Sequence, residues 1–247
     1  MILLVITLCT FAQGINLFTP PASSKDTVAA IDFHGEKIAG PFSEWFRECD
    51  GKNTCDGKPI RYGCHSDPNN NSALLRLKGG VIFFDAKMDV DADGSPYSKQ
   101  TPGKTDQPET SLRYSIAGKP SINSDRVPYI VIPQGAFASA LGIELGDIAA
   151  VVYGRKRVFA VVADEGPQCK IGEGSIQLHE ALGHSVCKQR APNGDCVRIR
   201  DVGIERDVLY FIFAGTHKAL LPGLKPENIN ARILAIGENA WRNLSGR

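Results

Sequence analysis

Two carboxylates, Asp164 and Glu173, stand nine positions apart in the stretch ADEGPQCKIGEGS, residues 163–175, with Gly166-Pro167 and Cys169 between them. Paired acids are the usual apparatus for breaking a glycosidic bond, one protonating the leaving oxygen while the other activates water. Inversion of configuration asks for carboxyl groups about 6.5–9.5 Å apart. Nine extended residues would hold them roughly 30 Å apart, so the segment has to fold back, and Gly166-Pro167 is the signal that can do it. The glycines on either side of Glu173 leave room for a substrate. Acids beside Gly and Pro are also ordinary turn residues, so spacing alone leaves both readings open.

A second acidic group lies in FFDAKMDVDADG. If this run is a strand, Asp85, Asp89, Asp91 and Asp93 fall on one face by alternation, and four like charges repel unless cations offset them. DVDADG, residues 89–94, matches the first half of a calcium loop, but the twelfth position is Gln100 rather than a bidentate Glu and no flanking helices are apparent. No metal is assigned; a solvated acidic turn is the plainer alternative. HEALGH, residues 179–184, comes close to a zinc-protease motif, yet its histidines are five apart and a helix turns them about 140° from each other. Asn70-Asn71-Ser72 and Asn243-Leu244-Ser245 have the form of N-glycosylation acceptors.

The elements that must carry these residues read as short strands. GVIFFDAKMDV (80–90), VPYIVIP (127–133), IAAVVY (148–153), RVFAVVAD (157–164), VLYFIFAG (208–215) and ARILAIG (231–237) are rich in Val, Ile and aromatics and bounded by turn formers. Gly154 marks a tight hairpin. SIQLHEALG predicts a short helix with Ser175 as N-cap and Gly183 as its stop. PENINARILAIGENAWRNL reads either as one C-terminal helix or as a strand followed by a helix, because Gly237 weakens a continuous helix. LGIELGDIAAVVY (141–153) echoes VGIERDVLYFIF (202–213), as two halves of a pseudo-symmetric barrel would.

The chain of 247 residues, 43% hydrophobic and 22% charged, is long enough for a sizeable core. Its formal net charge of +1 and the absence of dense basic runs argue against nucleic acid or a membrane as a partner. The apolar run from Ile2 to Ala12 is too short to span a bilayer and reads as a secretory signal, although no Lys or Arg precedes it. Its removal takes Cys9 away and leaves Cys49, Cys55, Cys64, Cys169, Cys187 and Cys196, an even set that fits three disulfides in an oxidising compartment. Cys187 and Cys196 bracket a loop that their own bridge would close, and Cys169 is placed to clamp the segment between the two acids to the scaffold. The expected organisation is a signal region over 1–22, a loop-rich, disulfide-stapled layer over 23–80 and a catalytic β-barrel over 81–247.

VVADEGPQCKIGEGSIQLHEALG, with FFDAKMDVDADG, QPETSL and VPYIVIP, resembles the family-75 glycoside hydrolases, secreted fungal chitosanases, in order over roughly residues 80–215. The same stretch is similar to double-psi β-barrel proteins of the RlpA, expansin and family-45 endoglucanase type. The resemblance implies a mainly β (α+β) fold with a few short helices around a six-stranded double-psi-like β-barrel core. It implies a secreted, monomeric endo-chitosanase acting on chitosan or chito-oligosaccharides with inversion and without a cofactor. The family's two essential acids fall on Glu173, taken as general acid, and Asp164, taken as general base, with the reverse assignment left open. Asp85, Asp89, Asp91, Asp93 and Glu165 would bind the glucosamine ammonium groups. Two departures, ADEGP in place of GDTGP and Ala92 in place of a cysteine, leave the charge pattern of the groove open. A barrel glycosidase or lytic transglycosylase acting on cellulose or peptidoglycan, and an expansin-like polysaccharide binder, are the alternatives.

Overall fold

A computed structural model describes residues 15–64, 73–97, 107–200 and 202–246. The signal run up to Gly14, the Asn70 glycosylation motif and Gln100 lie outside the described residues.

Thirteen strands and five α-helices make up the described chain. The strands are β1 (Ile15–Leu17), β2 (His34–Lys37), β3 (Thr54–Cys55), β4 (Lys58–Pro59), β5 (Leu74–Arg76), β6 (Ile82–Asp91), β7 (Tyr129–Pro133), β8 (Ile148–Tyr153), β9 (Lys156–Gly166), β10 (Glu173–Ser175), β11 (Cys187–Arg190), β12 (Cys196–Ile199) and β13 (Ile204–Phe213). The helices are α1 (Phe42–Lys52), α2 (Ala136–Leu141), α3 (Ile176–Leu182), α4 (His217–Leu220) and α5 (Ile229–Ser245).

Six strands close on themselves in the order β6-β10-β7-β9-β8-β13 and back to β6. Two of the six pairings, β6 with β10 and β7 with β9, are parallel; the rest are antiparallel. This is the expected double-psi-like barrel, and closure leaves no open edge among its six strands. The outer strands β1, β2 and β5 extend the sheet from β6, whose two halves therefore have different neighbours. Residues 82–84 pair with β5, and residues 89–91 pair with β10.

Strand alternation gives the wall two apolar faces. Phe83, Val131, Val161 and Phe211 share one with Trp241 of α5, while Phe84, Ile130, Val162 and Tyr210 share the other with Phe46, Phe137 and Leu178 of α1, α2 and α3. Gly154 opens the two-residue β8–β9 hairpin at a positive φ of 55°.

Five of the six predicted strands are in the barrel, and the sixth is not. ARILAIG lies inside the single helix α5, which runs straight through Gly237. A side chain at that position would collide with Phe159 on β9, since a built Cβ lies 2.4 Å from the ring; glycine lets the helix sit close on the sheet. The missing barrel strand is β10, only three residues long. The layer before the barrel also contains an eleven-residue helix, α1, that its polar sequence gave no reason to expect.

Disulfides join Cys49 to Cys64, Cys55 to Cys169 and Cys187 to Cys196. The last closes the β11–β12 hairpin, and the second ties the outer layer to the loop between β9 and β10, as the positions of these cysteines implied. Residues 15–22, assigned above to the signal region, enter the fold: β1 pairs with β2, and Phe18 packs on Phe33 and Phe83. No helix among the described residues is long and apolar enough to cross a membrane.

Candidate active site

β7 runs between the strands that carry the two acids. Its residue Val131 pairs with Glu173 of β10 on one side and with Asp164 of β9 on the other. Two inter-strand spacings put the Cα atoms of the acids about 10 Å apart, and both side chains line the same cleft of about 540 Å³. The fold-back that Gly166-Pro167 implied thus takes place, with the loop 167–172 joining the two strands.

Local irregularities aim the side chains. Between Ile130 and Val131 the β7–β9 register slips by one residue, so that Ala163 is bulged and Asp164 takes the place opposite Val131. The Ala163 carbonyl, released from the ladder, accepts from Leu112 N at 2.8 Å. That docks the segment bearing Ser111 beside Asp164. Asp164 Oδ1 then accepts from Ser111 Oγ (2.6 Å), Ser111 N (2.9 Å) and Glu165 N (2.8 Å). No donor among the described residues reaches Oδ2.

Glu173 is fixed from behind. Two residues on, Ser175 Oγ accepts from Leu178 N, capping α3 as expected, accepts from Tyr129 N and donates to the Val127 carbonyl. The end of β10 is thereby held to β7 and to α3. Gly166 leaves space for the carboxylate, because a Cβ there would stand 2.8 Å from Glu173 Oε2. Burial raises the Glu173 pKa above that of an ordinary glutamate, against the lowering effect of Lys170, whose Nζ lies 2.7 Å from Oε1.

Around these two the cleft is acidic. Asp91, at the end of β6, Asp93, on the following turn, and Asp164 bring carboxylate oxygens within 4.8 Å of one another. Asp91 Oδ1 is held by Asp93 N at 2.7 Å and lies 3.1 Å from the Tyr129 hydroxyl. Its pKa is pushed up to about 8, first by burial and then by the charges of Asp164 and Glu173. The exposed Glu165 lines the same cleft, as do Arg61 and Tyr62 from the outer layer.

Two expected members of the acidic face are placed elsewhere. Asp85 sits opposite Leu209, further back along β6, and its Oδ1 accepts from Ala73 N at 2.7 Å; it is not part of the cleft wall. Asp89 is engaged by Lys87 (3.3 Å) and Lys170 (3.2 Å). Alternation on β6 ends at Asp91, so a common face cannot extend to Asp93. The two residues that sequence reasoning missed are the lysines. Lys170 had one visible signal, its position three residues before Glu173. Lys87 had none, standing in a strand next to Met88.

In HEALGH, both ring nitrogens of His179 face backbone carbonyls, of Ser175 and Met88, and His184 Nε2 faces the Val202 carbonyl. The motif is structural in this fold.

Two carboxyl groups in unlike surroundings that face one acidic cleft are the kind of arrangement glycoside hydrolases use. The family model described as fungal chitosanase of glycosyl hydrolase group 75 matches residues 88–244, more than half of the chain, and the chain belongs to this glycoside hydrolase family. A search of curated proteins finds no match.

Proposed function

We propose that the protein is a secreted endo-chitosanase that hydrolyses β-1,4 bonds between glucosamine units with inversion, Glu173 acting as general acid and Asp164 as general base. The observation that carries this reading is the shared pairing of both acids with Val131, which spaces them for a water to enter between base and sugar. Glu173, largely enclosed and raised in pKa, has the character of the proton donor. Asp164 has one oxygen clamped and the other without a protein donor among the described residues, which is how a base is presented to water.

In the reaction, Glu173 gives its proton to the glycosidic oxygen as the C1–O bond breaks. Asp164 removes a proton from the water whose oxygen forms the new C1–O bond on the opposite face, so a β-linked substrate yields an α-anomer. Asp93 and Glu165 offer the ammonium groups of glucosamine negative charge, and Asp91, its pKa raised by burial, stands beside them as a neutral hydrogen-bonding partner. Asp85 and Asp89 take no direct part. Three disulfides and the apolar leader support export to an oxidising compartment.

The test is release of reducing ends from deacetylated chitosan, chitin, carboxymethyl cellulose and peptidoglycan by wild type, Glu173→Gln and Asp164→Asn. Cleavage of chitosan alone, falling by several orders of magnitude in both folded variants, is expected. Full activity in Asp164→Asn would point instead to one-acid transglycosylase chemistry, and polymer binding without new ends to an expansin-like role.

A further inference from the structure

A chain of alternating charges runs from the outer layer to Glu173. Asp50 of α1 pairs with Lys87 at 2.9 Å, Lys87 with Asp89 at 3.3 Å, Asp89 with Lys170 at 3.2 Å and Lys170 with Glu173 at 2.7 Å. The Asp50 and Lys87 side chains are 3% and 1% exposed, so their charges are poorly screened and must be balanced locally. Three acids and two bases cannot all pair as ions. Asp50 lies against Lys87, and Asp89, the most exposed of the three acids, lies within 3.3 Å of both lysines, whereas Glu173 touches Lys170 alone and is more enclosed than Asp89, so Glu173 is the acid left to hold a proton. A protonated Glu173 makes the chain neutral; an ionised one leaves it with one negative charge.

We propose that Asp50, Lys87, Asp89 and Lys170 form a charge relay that positions Glu173 and makes it the member that holds the transferable proton, so that the outer layer is a working part of the acid/base machine. Asp50 and Lys87 lie before the segment that the family model matches. Cys55–Cys169 fastens that layer next to Lys170, the last link. The inference rests on Glu173 being the general acid.

The other ionisable groups around this chain are unaltered in these variants: Asp91 on β6, Asp93 on the turn after it, Asp164 and Glu165 on β9, Arg61 and Tyr62 of the outer layer, Tyr210 on β13, whose hydroxyl donates to the Lys87 carbonyl, and His179 on α3 behind Asp89. Loss of Asp50 frees Lys87 to pair with Asp89, which releases Lys170 to Glu173. Loss of Lys87 does the reverse.

The experiment follows the Glu173 side-chain carboxyl by ¹³C NMR, assigned with Glu173→Gln, beside the pH–rate profile on chitosan. Asp50→Asn is expected to lower the titration midpoint of Glu173 by about one unit, Lys87→Met to raise it by a similar amount, and the double variant to restore it. The alkaline limb of the rate profile moves with each. Asp89→Asn, at a partly exposed link, lowers the midpoint too and serves where a buried single variant does not fold. A midpoint unchanged in every folded variant overturns the relay. A midpoint that shifts while the rate profile stays still shows the charges coupled but removes Glu173 from the role of acid, which overturns the outer layer's part in catalysis and the proposed mechanism together.

Discussion

Ser111 gives Asp164 two of the three hydrogen bonds that hold its Oδ1, one from the hydroxyl and one from the backbone. Ser111→Ala removes the shorter of them and leaves a carboxylate free to swing by a fraction of an ångström. Misplacement on that scale costs up to about 100-fold in rate, so kcat on chitosan is expected to fall while KM changes little; an unchanged kcat would show that the clamp is dispensable. At this scale the sequence was informative about the acids themselves, because their types, the turn between them and the small residues around Glu173 are all local. It was silent on Lys87 and Asp50, and gave for Lys170 only its spacing from Glu173, because their meaning comes from partners brought together by the fold. Asp85 was misplaced for a related reason: alternation identifies a face of a strand, whereas the cleft occupies only one end of it.

Two glycines separate what elements do for catalysis from what they do for stability. At Gly166 an added Cβ meets the end of the Glu173 side chain, which can turn aside. Gly166→Ala is therefore expected to cut kcat roughly tenfold or more with little change in thermal midpoint, read by kinetics and calorimetry on the same sample. At Gly237 the obstacle is the ring of Phe159 in a closed core. Alanine gains about 1 kcal/mol of helix propensity, but overpacking costs about 1–3 kcal/mol, so Gly237→Ala loses stability in urea unfolding while kcat is retained. A stabilised Gly237→Ala would mean that the helix–strand contact relaxes freely. The same contact explains why ARILAIG looked like a strand: β-branched and aliphatic residues packed on a sheet carry little period of their own, and Gly237 breaks the helical pattern for a packing reason. β10 escaped notice because three residues cannot show a period, whereas the longer barrel strands and the Ser175-capped α3 were legible. The echoed segments 141–153 and 202–213 lead into β8 and β13, which pair with each other across the barrel seam.

For the molecule as a whole, the buried acids set how stability depends on pH. Asp91 has a usual carboxylate value when unfolded, 3.8, and about 8 when folded, so the native state holds a proton that the unfolded chain gives up. That stabilisation is complete below about pH 4 and is lost as pH rises towards 8. The thermal midpoint is expected to decline over that window, and Asp91→Asn, whose amide stands in for the neutral acid, should flatten the decline. An equally steep fall in the variant would locate the titrating group elsewhere. The fold class and the family resemblance were open to inspection in the sequence; the role of the outer layer was not, since its helix and ion pairs have meaning only against the barrel.

The pairing of both acids with Val131 makes their separation a property of the hydrogen-bonded sheet and not of the loop that connects them in the chain. Apart from Cys169 and Lys170, which are tied to the outer layer and to Glu173, residues 167–172 can therefore change character without resetting the spacing of the two acids. What such changes would alter is the rim near Pro167 and Lys170, and with it the substrates admitted. If the two acids cut as proposed, the rim and the spacing of the acids are separately adjustable, so relatives could differ in the polymers they admit while keeping one way of cutting.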